Sequence, residues 1–190
     1  MDTLISEKDR TKVPAMTPDT IFVSPLSLVE TTVVDAQISH LVTLINGETL
    51  IDTPPTIGRK QHLRLAMNDI SAPQDGLVVP TETHVAELIQ FARDWDQRAP
   101  LLIHCWAGIS RSTAGAFISL CALNPETDEH ALARALRRAS PTAYPNRRLV
   151  ALADAVLERS GRMNAAVEHI GRGQLAEEGK VFSLPARHAA

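Results

Sequence analysis

Residues 101–112 read Leu-Leu-Ile-His-Cys-Trp-Ala-Gly-Ile-Ser-Arg-Ser, and the fold turns on this stretch. Leu101-Leu102-Ile103 follows Pro100 as a short continuous apolar run, the pattern of a strand buried on both faces. A helix is predicted from Ser110 to Leu123, with Pro125 as its stop. The segment therefore runs from a buried strand, through a tight loop, into a helix. That unit belongs to parallel sheets with helical crossovers, whose ligands bind beyond the carboxyl ends of the strands.

Upstream, Thr20–Ser24, Leu41–Ile45 and His62–Met67 read as further strands. Residues 28–39 read as a helix, although their β-branched content weakens helical preference. Between Thr81 and Arg98 the residues Val85, Leu88, Ile89, Ala92 and Trp95 fall on one helical face. Downstream, helices are expected over 128–139, with Thr127 as N-cap, over 146–160, with Gly161 as C-cap, and briefly over 163–170. The expected architecture is α/β: a central, mainly parallel sheet flanked by helices, with a helical C-terminal part. Residues 1–18 read as a flexible lead-in, 19–171 as one domain, and 172–190 as a loose tail without periodicity.

The loop at 104–112 carries the chemistry. A loop entering a helix N-terminus can turn several N–H groups toward one point, and the helix dipole reinforces this anion cradle. Gly108 supplies backbone freedom for the turn. Trp106, Ala107, Gly108, Ile109 and Ser110 are the expected substrate-binding stretch, with Arg111 as a planar fork folding back over the anion. Cys105 sits at the base of the cradle. A free thiol is mostly protonated at neutral pH, and converging dipoles with a nearby Arg favour its nucleophilic anion. Ser112 is placed to hydrogen-bond the sulfur, and His104, read as buried, to hold the loop. A leaving oxygen needs a proton, so an acid must lie at the same sheet edge. Asp69, directly after the strand at 62–67, is preferred over Asp75, which precedes Gly76 and reads as a turn residue.

Residues 104–112 resemble the HCxxGxxRS signature of the protein tyrosine phosphatase superfamily, and residues 20–45 resemble the opening strand–helix–strand of its dual-specificity-type members. Asp69 falls where the acid loop of such proteins lies, and Pro145-Asn146 resembles a pair in their C-terminal part. The wording IHCWAGISRS is similar to a bacterial, tyrosine phosphatase-like branch. The resemblance implies the phosphatase fold, a phosphocysteine at Cys105 that water then hydrolyses with the aspartate as base, and no metal or cofactor. It implies a phosphorylated protein or a small aryl phosphate as substrate. The tyrosine-recognition motif of the large tyrosine-specific members is not seen, and Trp106, Ala107, Ile109 and Ser110 include no lysine of the kind lipid phosphatases tend to carry there.

The remaining features set bounds. The 190 residues, 44% hydrophobic, suit one soluble domain. A net charge of −3 gives no field drawing the chain to nucleic acid or membrane, and no apolar run spans a bilayer. The polar N-terminus lacks a signal-peptide core, and the two cysteines make no disulfide framework. A reducing, cytoplasmic setting is the expectation. Cys121, mid-helix among apolar residues, reads as structural. Arg134, Arg137, Arg138, Arg147 and Arg148 read as a solvated face, with Arg147 a candidate for the phosphate edge. A binding module that captures phosphoproteins without turnover is the alternative reading. A different loop-thiolate chemistry, sulfur transfer or arsenate reduction, is a third.

Overall fold

The computed structural model describes residues 17–189. Most of the lead-in read over 1–18 thus lies outside the described residues. Four strands, β1 (Thr20–Pro25), β2 (His40–Ile45), β3 (His62–Ala66) and β4 (Leu101–Cys105), are parallel, and β5 (Phe182–Pro185) joins them antiparallel. The sheet order is β3-β2-β4-β1-β5, so β4, which carries the cysteine at its end, lies in the middle. Its five residues are all buried, as the apolar run requires.

Among the described residues, six α-helices complete the fold: α1 (Val29–Asp35), α2 (Glu82–Asp94), α3 (Arg111–Leu123), α4 (Glu129–Ala139), α5 (Arg147–Val156) and α6 (Arg162–Ile170). One sheet face packs on α1 through Phe22, Val33, Leu41 and Leu102. The other packs on α3 through Val23, Leu44, Ile103 and Phe117. Every residue of α3 is buried, because α2, α4 and α5 cover the sides the sheet leaves open. The close approach depends on Gly115: a Cβ there would lie 2.8 Å from Leu44 Cδ1 and 3.0 Å from Ile103 Cγ2.

Several boundaries differ from the sequence expectation. Residues 28–39 yield only one full helix of seven residues, since Gln37 takes a positive φ of 50° and turns the chain into β2. The N-cap of α4 is Asp128, not Thr127; its carboxylate accepts from the N–H groups of His130 and Ala131. The α5 helix stops at Val156, and Gly161, with φ 87°, opens α6 instead of closing α5. The larger correction concerns residues 172–190. Phe182, Leu184 and Ala186 alternate inward, and Val23 to Thr20 pair with Phe182 to Pro185. Four residues of alternation are too short a signal to stand out beside the helices, yet the exposed edge of β1 offers them a ladder.

Gly115→Val should cost about 1–3 kcal/mol by overpacking. It should appear as a lower urea midpoint with an unchanged slope.

Candidate active site

The loop after β4 owes its shape to its carbonyls. Trp106 O accepts from Leu26 N at 3.0 Å, Ala107 O from Gly179 N at 2.8 Å, Ile109 O from Tyr144 N at 2.9 Å, and Ser110 O from Asn146 N at 3.3 Å. In a planar trans peptide the N–H of the next residue points opposite to the carbonyl. Anchoring these four carbonyls on the outside therefore turns the N–H groups of Ala107, Gly108, Ser110 and Arg111 to the other side. The anchors come from the end of β1, the C-terminal segment and the turn before α5. Gly108 takes φ 70°, and a Cβ there would lie 2.7 Å from Pro25 N, so both conformation and space require glycine.

Cys105, 1% exposed, ends β4 beneath this loop, and its Sγ lies 3.2 Å from Ser112 Oγ. Arg111 opens α3 and is nearly buried. Its Nη1 donates to Met67 O at 2.7 Å, which fixes the guanidinium against the end of β3. Its Nε is buried without a hydrogen-bond partner among the described residues and stands 3.9 Å from Asp69 Oδ2. A buried N–H donor left in this state is costly unless an acceptor comes to it.

Asp69 lies beside the loop. Its Oδ1 accepts from Ser110 Oγ at 2.7 Å and from Asn146 Nδ2 at 2.8 Å. Asp75 is fully on the surface, in the exposed turn of residues 71–77, and makes none of these contacts. The structure thus brings Cys105, Arg111, Ser112, Ser110 and Asp69 together. Trp106 projects from the loop 55% exposed, while Ala107 and Ile109 are half-buried. Arg147 lines a cleft with Asn164 and Glu168 of α6. Arg137 and Arg148 are not simply a solvated face, since they tie down the carbonyls of Gly171 and Pro80.

Asn146 does more than its sequence position announces. It caps α5 by accepting from Leu149 N at 3.0 Å, anchors Ser110 O through its own N–H, and holds Asp69 through its amide. An asparagine after proline at a helix start signals the cap, and only the three-dimensional fold supplies the rest.

His104 is fully buried, and burial pushes its pKa down to about 4; His62, also buried, is likewise pushed down to about 4. Both imidazoles are neutral at physiological pH. Cys121 is fully buried in α3, burial drives its thiol pKa upward, and neither cysteine is in a disulfide. Among the described residues no cluster of side chains is suited to a metal, and no helix is long and apolar enough to cross a membrane.

No protein-family model and no curated protein sequence matches the chain. Solved structures do. DUSP15 superposes with a TM-score of 0.57 at 18% identity, covering 82% of this chain and 92% of that one. PTPMT1 gives 0.55 at 19%, covering 77% and 98%. The PTP-2 phosphatase of Cydia pomonella gives 0.53 at 20%, covering 71% and 84%. The chain has the protein tyrosine phosphatase fold. The likeness to these phosphatase structures spans most of both chains.

The pH dependence of stability follows from the two imidazoles. Unfolded, each titrates near 6.5; folded, near 4. Between these values the unfolded chain binds more protons, so stability declines as pH falls from 6.5 toward 4. Urea titrations across this window should show the decline, and His104→Asn should make it shallower.

Proposed function

We propose that the protein is a phosphoric monoester hydrolase of the tyrosine phosphatase superfamily, working through a phosphocysteine at Cys105. One observation carries this reading. Cys105 sits under a loop whose N–H groups are turned to one side, beside an arginine whose buried Nε has no hydrogen-bond partner among the described residues. A tetrahedral dianion supplies acceptors to both.

In the proposed reaction the ester phosphate rests in the cradle, with Arg111 across two of its oxygens. The Cys105 thiolate attacks phosphorus, an S–P bond forms, and the P–O bond to the leaving group breaks. Asp69 delivers a proton to the departing oxygen. Its Oδ1 is committed to Ser110 and Asn146, which leaves Oδ2 to carry that proton. Water then attacks the phosphocysteine, Asp69 takes the proton back, and inorganic phosphate leaves. The Ser112 hydroxyl, 3.2 Å from the sulfur, stabilises the thiolate as it is released.

The substrate reading is a phosphorylated protein or a small aryl phosphate. Trp106, half-exposed on the loop, offers an apolar face beside the phosphate, and the variable loop positions carry no basic residue to match a polyphosphorylated headgroup. PTPMT1 has been solved in complex with PI(5)P, so a phosphoinositide belongs in the test panel. A capture module without turnover is the competing reading, and phosphopeptide binding with no phosphate release from the wild-type protein would favour it.

Phosphate release from an aryl phosphate should vanish in Cys105→Ser. In Arg111→Lys it should fall by at least ~10²-fold. Full activity in Cys105→Ser would remove the nucleophile assignment.

The acid is tested separately. Asp69→Asn should lose roughly 10²–10⁴-fold on an alkyl phosphate and less on an aryl phosphate with a good leaving group. Asp75→Asn should match wild type on both, and the reverse ranking would move the acid to Asp75.

A further inference from the structure

A row of polar side chains crosses the sheet where apolar ones belong. On the face turned toward α1, Phe22, Leu102 and Leu41 are apolar and buried. Two residues further along the strands, on the same face, the aligned positions are Ser24, His104, Thr43 and Arg64. Ser24, His104 and Thr43 have no solvent exposure. Burying such groups is costly unless each is hydrogen-bonded, and here three of the side chains around His104 form one continuous line. Thr53 Oγ1 lies 2.9 Å from His62 Nδ1, and His62 Nε2 lies 2.8 Å from Thr43 Oγ1. Thr43 Oγ1 lies 2.7 Å from His104 Nε2, and His104 Nδ1 lies 3.3 Å from Cys105 O.

The last bond fixes the direction of all the others. A carbonyl only accepts, so His104 Nδ1 carries the hydrogen. In a neutral imidazole Nε2 is then a bare acceptor, and the Thr43 hydroxyl must donate to it. Thr43 Oγ1, having spent its hydrogen, accepts from His62 Nε2–H. His62 Nδ1 is bare in turn and accepts from Thr53. We propose that Thr43 and His62 are positioning residues for the nucleophile loop, holding His104 in the Nδ1–H tautomer so that the Cys105 carbonyl stays pinned toward the α1 side of the sheet. The consequence reaches the cradle through the same peptide geometry as before. With Cys105 O held away, the N–H of Trp106 faces the opposite side and becomes the first donor of the loop. In the other tautomer a bare Nδ1 lone pair would face the carbonyl, and that peptide would turn. Burial keeps both imidazoles neutral, as the one-way line requires. The far end, Thr53, is half-buried at a surface cleft shared with Asp52, Arg59 and Arg64, so the line runs from solvent to the nucleophile.

The proposal rests on the phosphatase reading for its kinetic consequence but not for its structural one, and the two are tested apart. Long-range proton–nitrogen NMR of the wild-type protein should show His104 as the Nδ1–H tautomer and His62 as the Nε2–H tautomer. The opposite tautomer at either residue overturns the proposal, whatever the protein hydrolyses. Thr43→Val keeps the shape and removes the hydroxyl. It should raise the inhibition constant of inorganic phosphate about tenfold and mix the His104 tautomers, whereas Thr43→Ser should stay within about twofold of wild type. Equal phosphate inhibition in wild type and Thr43→Val, with His104 unchanged, also overturns it. If Thr43→Val fails to fold, His62→Phe read by the same NMR signal of His104 takes its place, with an unaltered tautomer counting against the proposal. A wild-type protein with the expected tautomers and no phosphate release from any ester would instead refute the phosphatase reading alone.

Discussion

The site depends on a constraint of the peptide bond itself. Carbonyl and following N–H are fixed on opposite sides of a rigid plane, so a loop cannot present donors inward without placing acceptors outward. Each outward acceptor then needs a donor from the surrounding fold. Here those donors are Leu26 after β1, Gly179 in the C-terminal segment, and Tyr144 and Asn146 before α5. The N–H side of the loop is thus the inner surface of a structure whose outer surface is bonded to three separate parts of the chain. The same logic explains why β1 ends where it does. Pro25 stands against Gly108 at the point where the loop backs onto the strand, and the next residue with an N–H, Leu26, serves Trp106.

Cys105, Arg111 and Ser112 need this frame for different reasons. The sulfur is held at the end of a strand with no freedom to retreat. Arg111 is tied by one nitrogen to the end of β3, which fixes the orientation of its guanidinium. Asp69 is oriented by Ser110 of the loop and by Asn146 of α5. Asp69 and the loop after β4 are therefore registered to each other through the Ser110 hydroxyl and through Asn146, which also bonds the Ser110 carbonyl. Such pre-set geometry is where positioning contributes to rate.

Much of this was legible in the chain. The run 101–112 locates the central strand, the loop and α3, because continuous apolar residues, a glycine and a helix start are local signals. That Asp69 stands beside the loop while Asp75 lies in an exposed turn was readable from distance to the strand end. What escaped is non-local. The anchoring role of Asn146, the Thr43–His62 line and the carbonyl of Met67 that holds Arg111 all depend on which strands are neighbours, and β3-β2-β4 is not the order of the chain. The four-residue β5 escaped for another reason: its alternation is too brief to weigh against a polar, glycine-containing approach. The boundaries of α1 and α5 moved because Gln37 and Glu158 adopt left-handed conformations that sequence preference does not announce at those positions.

The contribution of Gly179 has a consequence for how the molecule comes into being. A ribosome that has delivered residues up to about 160 has already made the cysteine, the arginine, the serine and the aspartate. It has not made the donor for Ala107 O or the strand that lies against β1. Pairing across such long sequence separations is slow, because chain closure must precede its reward. Synthesis and the maturation of reactivity are thereby placed in order. The nascent chain can collapse around α3 early, while the loop beneath which the thiol sits acquires its last outer bond only when the residues past 179 have emerged.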